Sequence, residues 1–202
     1  MKKVILAACF IFICNVVTFA QGQDLLIDDF EGSITSGPEG TVDYGAGGGS
    51  SVMVSASTEV KNSGAQSLKV EYDAVTDGYM WVARGFGLDS QNAGWLVKPE
   101  SIEWPKYRAI SFYVYGSDSK ATIAIDIKDN GSEMWRYLFE DNFKGWKQIT
   151  CPLDEFFPRG DWQPDAADKN AFLDFPVKSY QFEPRPEAKG TLYFDSVTLT
   201  AK

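Results

Sequence analysis

Short stretches in which apolar and polar residues alternate recur along this chain, and no long stretch shows a helical period. Alternation of period two puts successive side chains on opposite faces of a strand, so each stretch buries its apolar face against a second sheet. In residues 122–128, Ile123, Ile125 and Ile127 oppose Ala124 and Asp126. In 107–115, Ile110, Phe112 and Val114 oppose Ala109, Ser111, Tyr113 and Tyr115. Leu68, Val70 and Tyr72 share one face of 66–73. Further strands are predicted at 79–86, 133–139, 146–152, 177–183 and 191–200, with polar turns such as Asp129-Asn130-Gly131 and Lys189-Gly190 between them. The pattern predicts an all-β fold, an antiparallel β-sandwich of the jelly-roll kind. Residues 45–51, rich in glycine, lack the Lys-Ser/Thr ending of a phosphate loop and precede no helical pattern, so they are expected to form a flexible loop.

Lys2 and Lys3 precede an apolar run from Val4 to Val17, and Thr18-Phe19-Ala20 fits a small-x-small cleavage pattern. Residues 1–20 therefore read as a signal peptide cleaved after Ala20, leaving 21–202 as a single domain that is secreted, periplasmic or at the cell surface. The run is too short for a comfortable membrane span. Cys14 opens the alternative of lipidation, against which Ile13 stands where a small residue is expected.

Cleavage removes two lysines and no acids, so the net charge of −9 becomes more negative still. An acidic surface repels phosphate backbones and anionic lipid heads, which argues against nucleic acid and membrane partners. Uncharged polymers and cations stay open. Cys151 is left without an intrachain partner and sits in an apolar-patterned stretch, as a small buried hydrophobe. The chain has no histidine, which excludes Ser-His-Asp and Cys-His catalysis and His-ligated zinc or iron.

The segment Phe156-Phe157-Pro158-Arg159-Gly160-Asp161-Trp162-Gln163-Pro164 sets a planar cation, a carboxylate and a large ring within four residues, between stiffening prolines. That trio suits sugar recognition: Trp162 stacks on the apolar face of a pyranose while Arg159 and Asp161 hydrogen-bond its hydroxyls. An ordinary loop, with a capping Asp161 and Trp162 folded on the core, is the other reading. In 79–85, Tyr79, Trp81 and Ala83 share a face opposite Met80 and Val82. If the outward faces of these strands belong to one sheet, Tyr79, Trp81, Tyr113, Tyr115 and Asp126 form an aromatic surface with a carboxylate, suited to a neutral polysaccharide. Otherwise the rings divide between core and solvent.

With the opening Leu26-Ile27-Asp28-Asp29-Phe30-Glu31-Gly32, the element Val75-Thr76-Asp77-Gly78-Tyr79, Gly145-Trp146-Lys147, and the ending Phe194-Asp195-Ser196-Val197-Thr198-Leu199, the chain resembles family 11 carbohydrate-binding modules from about Asp28 to Leu199. The resemblance implies a galactose-binding-domain-like β-jelly roll whose concave cleft takes a β-1,4- or mixed β-1,3-1,4-glucan. It assigns ligand roles to Tyr79, Arg159, Asp161 and Trp162, the last in place of a family tyrosine. It departs at Lys178 and Pro184, where the family carries an aspartate and a tyrosine, and near Gly131, where a family aspartate has only Asp129 close by. It also implies a structural Ca²⁺, with Asp29, Glu31 and Asp195 as side-chain ligands and carbonyls of loop 61–67 completing the shell. A solvated acidic patch is the alternative use of those acids.

The expected function is a secreted, non-catalytic carbohydrate-binding protein. It would stack a β-glucan-type chain on Tyr79, Trp81 and Trp162 and hydrogen-bond it through Asp126, Arg159 and Asp161. Its further partners would be a glycoside hydrolase or a surface assembly encoded separately. The alternative is a structural or assembly protein of the cell envelope that uses the same sandwich for protein contact. Acids such as Glu133, Glu140 and Asp141 are plentiful, but no acid–nucleophile couple stands out, so no catalytic residue is assigned.

Overall fold

The computed structural model describes residues 22–202; the expected signal peptide, with Cys9 and Cys14, lies outside the described residues. Strands dominate: β1 (Leu25–Asp28), β2 (Asp43–Gly47), β3 (Ser51–Ser57), β4 (Ser67–Ala74), β5 (Tyr79–Gly85), β6 (Tyr107–Ser117), β7 (Thr122–Lys128), β8 (Met134–Glu140), β9 (Lys144–Pro152), β10 (Phe157–Pro158), β11 (Ser179–Pro184) and β12 (Ala188–Ala201). They form two antiparallel sheets. One runs β3-β4-β12-β6-β9, with β1 also paired to β12; the other runs β10-β8-β7-β11-β5-β2. The expected β-sandwich is the observed fold.

The alternation in each strand explains the core. Phe182 of β11 lies against Phe194 of β12, ring centroids 3.8 Å apart and planes within 9°, which joins the two sheets at their centre. Phe112 of β6 meets Phe182 edge-on at 5.0 Å. Ile123, Ile125 and Ile127 of β7 are fully buried beneath them. Burying each such side chain stabilises the fold by roughly 1.5–3 kcal/mol. Cys151 is a free, buried thiol in this core, and burial pushes its pKa up, as expected of an inert hydrophobe.

Two expectations are corrected. The glycine-rich segment is not a flexible loop at its start: Asp43–Gly47 is an edge strand paired with β5, Gly45 opposite Trp81 and Gly47 opposite Tyr79. Tyr113 and Tyr115 do not share a sheet with Tyr79, Trp81 and Asp126. They lie on β6 in the other sheet, where Tyr115 packs edge-on against Trp146 and Tyr193. Alternation fixes which residues of a strand share a face, but the sheet a strand joins depends on long-range pairing.

Candidate functional site

The outer face of the β10-β8-β7-β11-β5-β2 sheet carries a cleft of about 650 Å³. Tyr79 and Trp81 line it from β5, Asp43 from β2 and Gln181 from β11, while Asp161 and Trp162 close it from the segment after β10. Tyr79 and Trp162 are each more than half exposed, at 56% and 54%. Trp162 therefore does not fold back on the core. The structure brings all six expected ligand residues to this face, but not in equal standing.

Tyr79 and Trp81 are parallel within 10°, with ring centroids 6.3 Å apart. The indole Nε1–H of Trp81 donates to Asp43 Oδ1 at 2.9 Å, and Asp43 Oδ2 accepts from the Asp89 amide at 2.9 Å. That chain of contacts fixes the indole on the cleft wall. Across the cleft the Arg159 guanidinium sits 5.6 Å from the Trp162 ring centroid, a cation–π contact that orients the second wall.

Between the walls lies a network of three arginines and three acids. Asp126 of β7 faces Arg136 of β8 and accepts two hydrogen bonds from it, at 2.7 and 2.8 Å. Arg159 Nη1 lies 3.0 Å from both Asp126 and Glu183, and its Nε donates to Asp161 at 2.7 Å. Arg136 also bonds Glu183 at 2.8 Å, and Arg185 pairs with Glu183 and Asp161. Burial pushes the Asp161 carboxyl up, but the hydrogen bond and charge of Arg159, aided by Arg136 and Arg185, outweigh it and hold it at about 2. Glu183 moves the other way, because burial there outweighs its arginine neighbours.

Asp126 was expected to hydrogen-bond a ligand directly. The structure corrects this: it is fully buried under Arg136, Arg159 and Gln181, whose amide donates to it at 3.1 Å. Its role is to hold those side chains. Arg159 is itself 9% exposed, so Asp161 offers more reachable oxygen.

Lys178 and Pro184, the departures from the family pattern, do not line the cleft. Lys178 reaches the Asn130 carbonyl at 2.8 Å, and Pro184 ends β11. Gln181 lines the cleft from β11 and Glu183 joins the network on the same face; both were missed, although the alternation of 177–183 against buried Tyr180 and Phe182 carried the signal. Asp43 has no signal in the sequence, because no strand is expected over Asp43–Gly47. Asp129 is buried and accepts from the Trp135 indole at 3.1 Å. Glu133 accepts from the Ala171 amide and Asp141 from the amides of Ser117 and Ser119; neither lines the cleft.

The expected metal residues lie just after β1, for Asp29 and Glu31, and on β12, for Asp195. Asp195 Oδ2 accepts the amides of Asn62 and Ser63 at 2.8 and 3.0 Å, and Glu31 accepts the Ala65 amide at 2.9 Å. The two carboxylates thus meet one loop, 62–66, by accepting its amide N–H groups. Asp29 turns instead to the Glu31 amide, and Asp28 is engaged by Arg84 and Tyr180. Among the described residues no group of three or more acidic, histidine or cysteine side chains converges for a metal. Glu31 and Asp195 therefore share one loop through its amides, and Asp29 does not join them.

A two-sheet sandwich with rings lining an open cleft on one sheet is the build of a carbohydrate-binding module. Residues 15–202 match the carbohydrate binding domain of family 11, and the chain belongs to that family. It is 27% identical to Endoglucanase H of Acetivibrio thermocellus over 188 residues, which are 89% of this chain and 18% of that protein. The chain thus spans less than a fifth of that relative's length. The family 11 module of a cellulosomal cellulase of Clostridium thermocellum superposes with a TM-score of 0.67 at 22% identity, covering 89% of this chain and 95% of the other. A Clostridium thermocellum family 11 module in complex with a β-1,3-1,4-mixed-linked tetrasaccharide gives 0.67 at 24% identity, with 88% and 95% covered. A family 30 module of a cellulosomal cellulase of the same organism gives 0.59 at 16% identity, with 89% and 98% covered. These likenesses establish the shared sandwich. Among the described residues no helix is long and apolar enough to cross a membrane.

Proposed function

We propose that this protein is a secreted, non-catalytic module that holds a β-glucan-type polysaccharide chain in its aromatic cleft. The observation that carries the reading is the placement of Tyr79 and Trp81 on one wall and Trp162 on the other of a single open cleft. Rings stack on the C–H faces of the sugar, and Asp161, Gln181 and the edge of Arg159 hydrogen-bond its hydroxyls. Affinity is modest, because each hydroxyl exchanges a bond to water for a bond to protein. The solved relative holding a mixed-linked tetrasaccharide supports this ligand class.

The charge network supports a non-catalytic role. Glycoside hydrolysis needs one carboxyl free to donate a proton and another free to attack or activate water. Asp126, Asp161 and Glu183 are each paired with arginine, and both oxygens of Asp43 accept N–H donors. The likeness to an endoglucanase supports a glycoside hydrolase as the working partner. Export through residues 1–20 is part of the same proposal, and N-terminal sequencing of the exported protein should begin at Gln21.

Affinity electrophoresis against mixed-linkage β-glucan, hydroxyethylcellulose and xylan tests the binding. Retardation by the β-glucans is expected; unchanged mobility on every glycan overturns the reading. A calcium ion held by Glu31 and Asp195 with oxygens of loop 62–66 is a separate proposal; there it would tie the chain's two ends to that loop. One observation favours the assembly reading as a second use of the same sandwich: Tyr115, Trp146 and Tyr193 cluster on the outer face of the other sheet. Sedimentation that shows a concentration-dependent oligomer surviving excess glycan would support it.

A further inference from the structure

Strand β2 reads Asp43-Tyr44-Gly45-Ala46-Gly47, and its antiparallel register sets Gly45 opposite Trp81 and Gly47 opposite Tyr79. The three small residues do not do the same work. Ala46 packs toward the core, while the glycines lie on the cleft face beneath the two rings. A Cβ on Gly45 would sit 2.5 Å from Trp81 Cη2 and 2.6 Å from Cζ2. A Cβ on Gly47 would sit 2.4 Å from both Cζ and the hydroxyl oxygen of Tyr79. Real side chains do not approach so closely, so the rings occupy space that any other residue would fill. Neither glycine has a positive φ, so backbone conformation does not require glycine there. What requires it is the close approach of the rings.

We propose that Gly45 and Gly47 are positioning residues for the carbohydrate site: the bare backbone of β2 is the seat on which Trp81 and Tyr79 lean to become a parallel pair. The inference rests on the glucan reading of the cleft and goes beyond it by assigning ligand geometry to residues that offer no atom of their own to a sugar. On this edge strand a methyl group would push each ring away from β2 and out of parallel with its neighbour. The Asp43 contact on Trp81 Nε1 holds one ring from the side; Tyr79 has no such tie among its described hydrogen bonds, so Gly47 governs the more easily displaced ring. Rings seated at alternate positions of one strand, 6.3 Å apart, offer two contacts in a row, which suits neighbouring units of an extended chain better than a single sugar.

A double-mutant cycle read in two ways tests the proposal. In binding to soluble mixed-linkage β-glucan, Gly47→Ala should weaken affinity about tenfold, and adding Tyr79→Ala should cost little more. In thermal denaturation without glycan, Gly47→Ala should lower the Tm of the otherwise unchanged protein and leave the Tm of the Tyr79→Ala variant unchanged. Gly45→Ala and Trp81→Ala form the parallel cycle. Gly32→Ala, with nothing within 4 Å of the new methyl, is the control. A Tm loss of equal size with and without the facing ring, or full glucan affinity in Gly47→Ala, overturns the proposal. Absence of glucan binding by the unsubstituted protein, with coupling still present in the Tm cycle, overturns the ligand reading and supports the ring seat.

Discussion

Asp126 and Arg136 face each other across β7 and β8, joined by two hydrogen bonds of 2.7 and 2.8 Å with Asp126 fully buried. The pair is the floor of the cleft rather than a hand extended into it. Removing the carboxylate would leave Arg136 and Arg159 buried with one counter-charge fewer. Asp126→Ala is therefore expected to destabilise the fold by about 3–5 kcal/mol, measured by denaturant unfolding. A loss under 1 kcal/mol would mean that water or Glu183 takes up the charge.

Trp162 stands opposite in kind. It is 54% exposed and held by a cation–π contact with Arg159, so its removal leaves no buried cavity. Trp162→Ala should change stability by no more than about 1 kcal/mol. Affinity for mixed-linkage β-glucan, measured by calorimetry, should fall by about thirtyfold, as for an aromatic anchor in a binding site. Unchanged affinity with unchanged stability would remove Trp162 from the site.

How much of this was legible in the sequence depended on the range of the interaction involved. The alternation of Thr122–Lys128 set both the strand and its two faces, because period-two burial is a local signal. The same rule put Asp126 on the right face but said nothing of Arg136, Arg159 and Gln181, which come from three other segments to cover it. Tyr113 and Tyr115 point outward as their alternation predicts, yet on a sheet that does not carry the cleft. Gly45 and Gly47 misled most. Glycine reads as flexibility when taken alone, and only the rings of the partner strand show why it is tolerated within an edge strand.

Asp161 makes the charge network sensitive to acid. Its folded pKa of about 2 lies below the ordinary 3.8, so its contribution to stability is full above that ordinary value and is lost as pH falls through 4 toward 2. Glu183 acts in the opposite sense: its raised pKa favours the protonated form in the fold and partly offsets the loss as pH falls. The Tm of the native protein should therefore fall between about pH 4 and pH 2, and Asp161→Asn should flatten that part of the curve. Because Asp161 is 45% exposed, solvent screening keeps its share small, and the difference between the two curves rather than either slope is the test. Curves that fall in parallel would show that Asp161 does not carry the effect.

Glu31 and Asp195 hold loop 62–66 from opposite ends of the chain, and the calcium proposal makes a measurable distinction about how. If a cation supplements the amide hydrogen bonds, it binds the folded state only and raises stability by mass action. Chelation should then lower the Tm by several degrees, and added Ca²⁺ but not Mg²⁺ should restore it, since the smaller ion demands tighter octahedral geometry. Asp195→Asn should lower the Tm and abolish the response to chelator together. If the amide bonds alone secure the loop, Asp195→Asn still destabilises the protein, but the native Tm does not move with chelator. That second pattern would reject the ion while leaving the clasp between the chain ends intact.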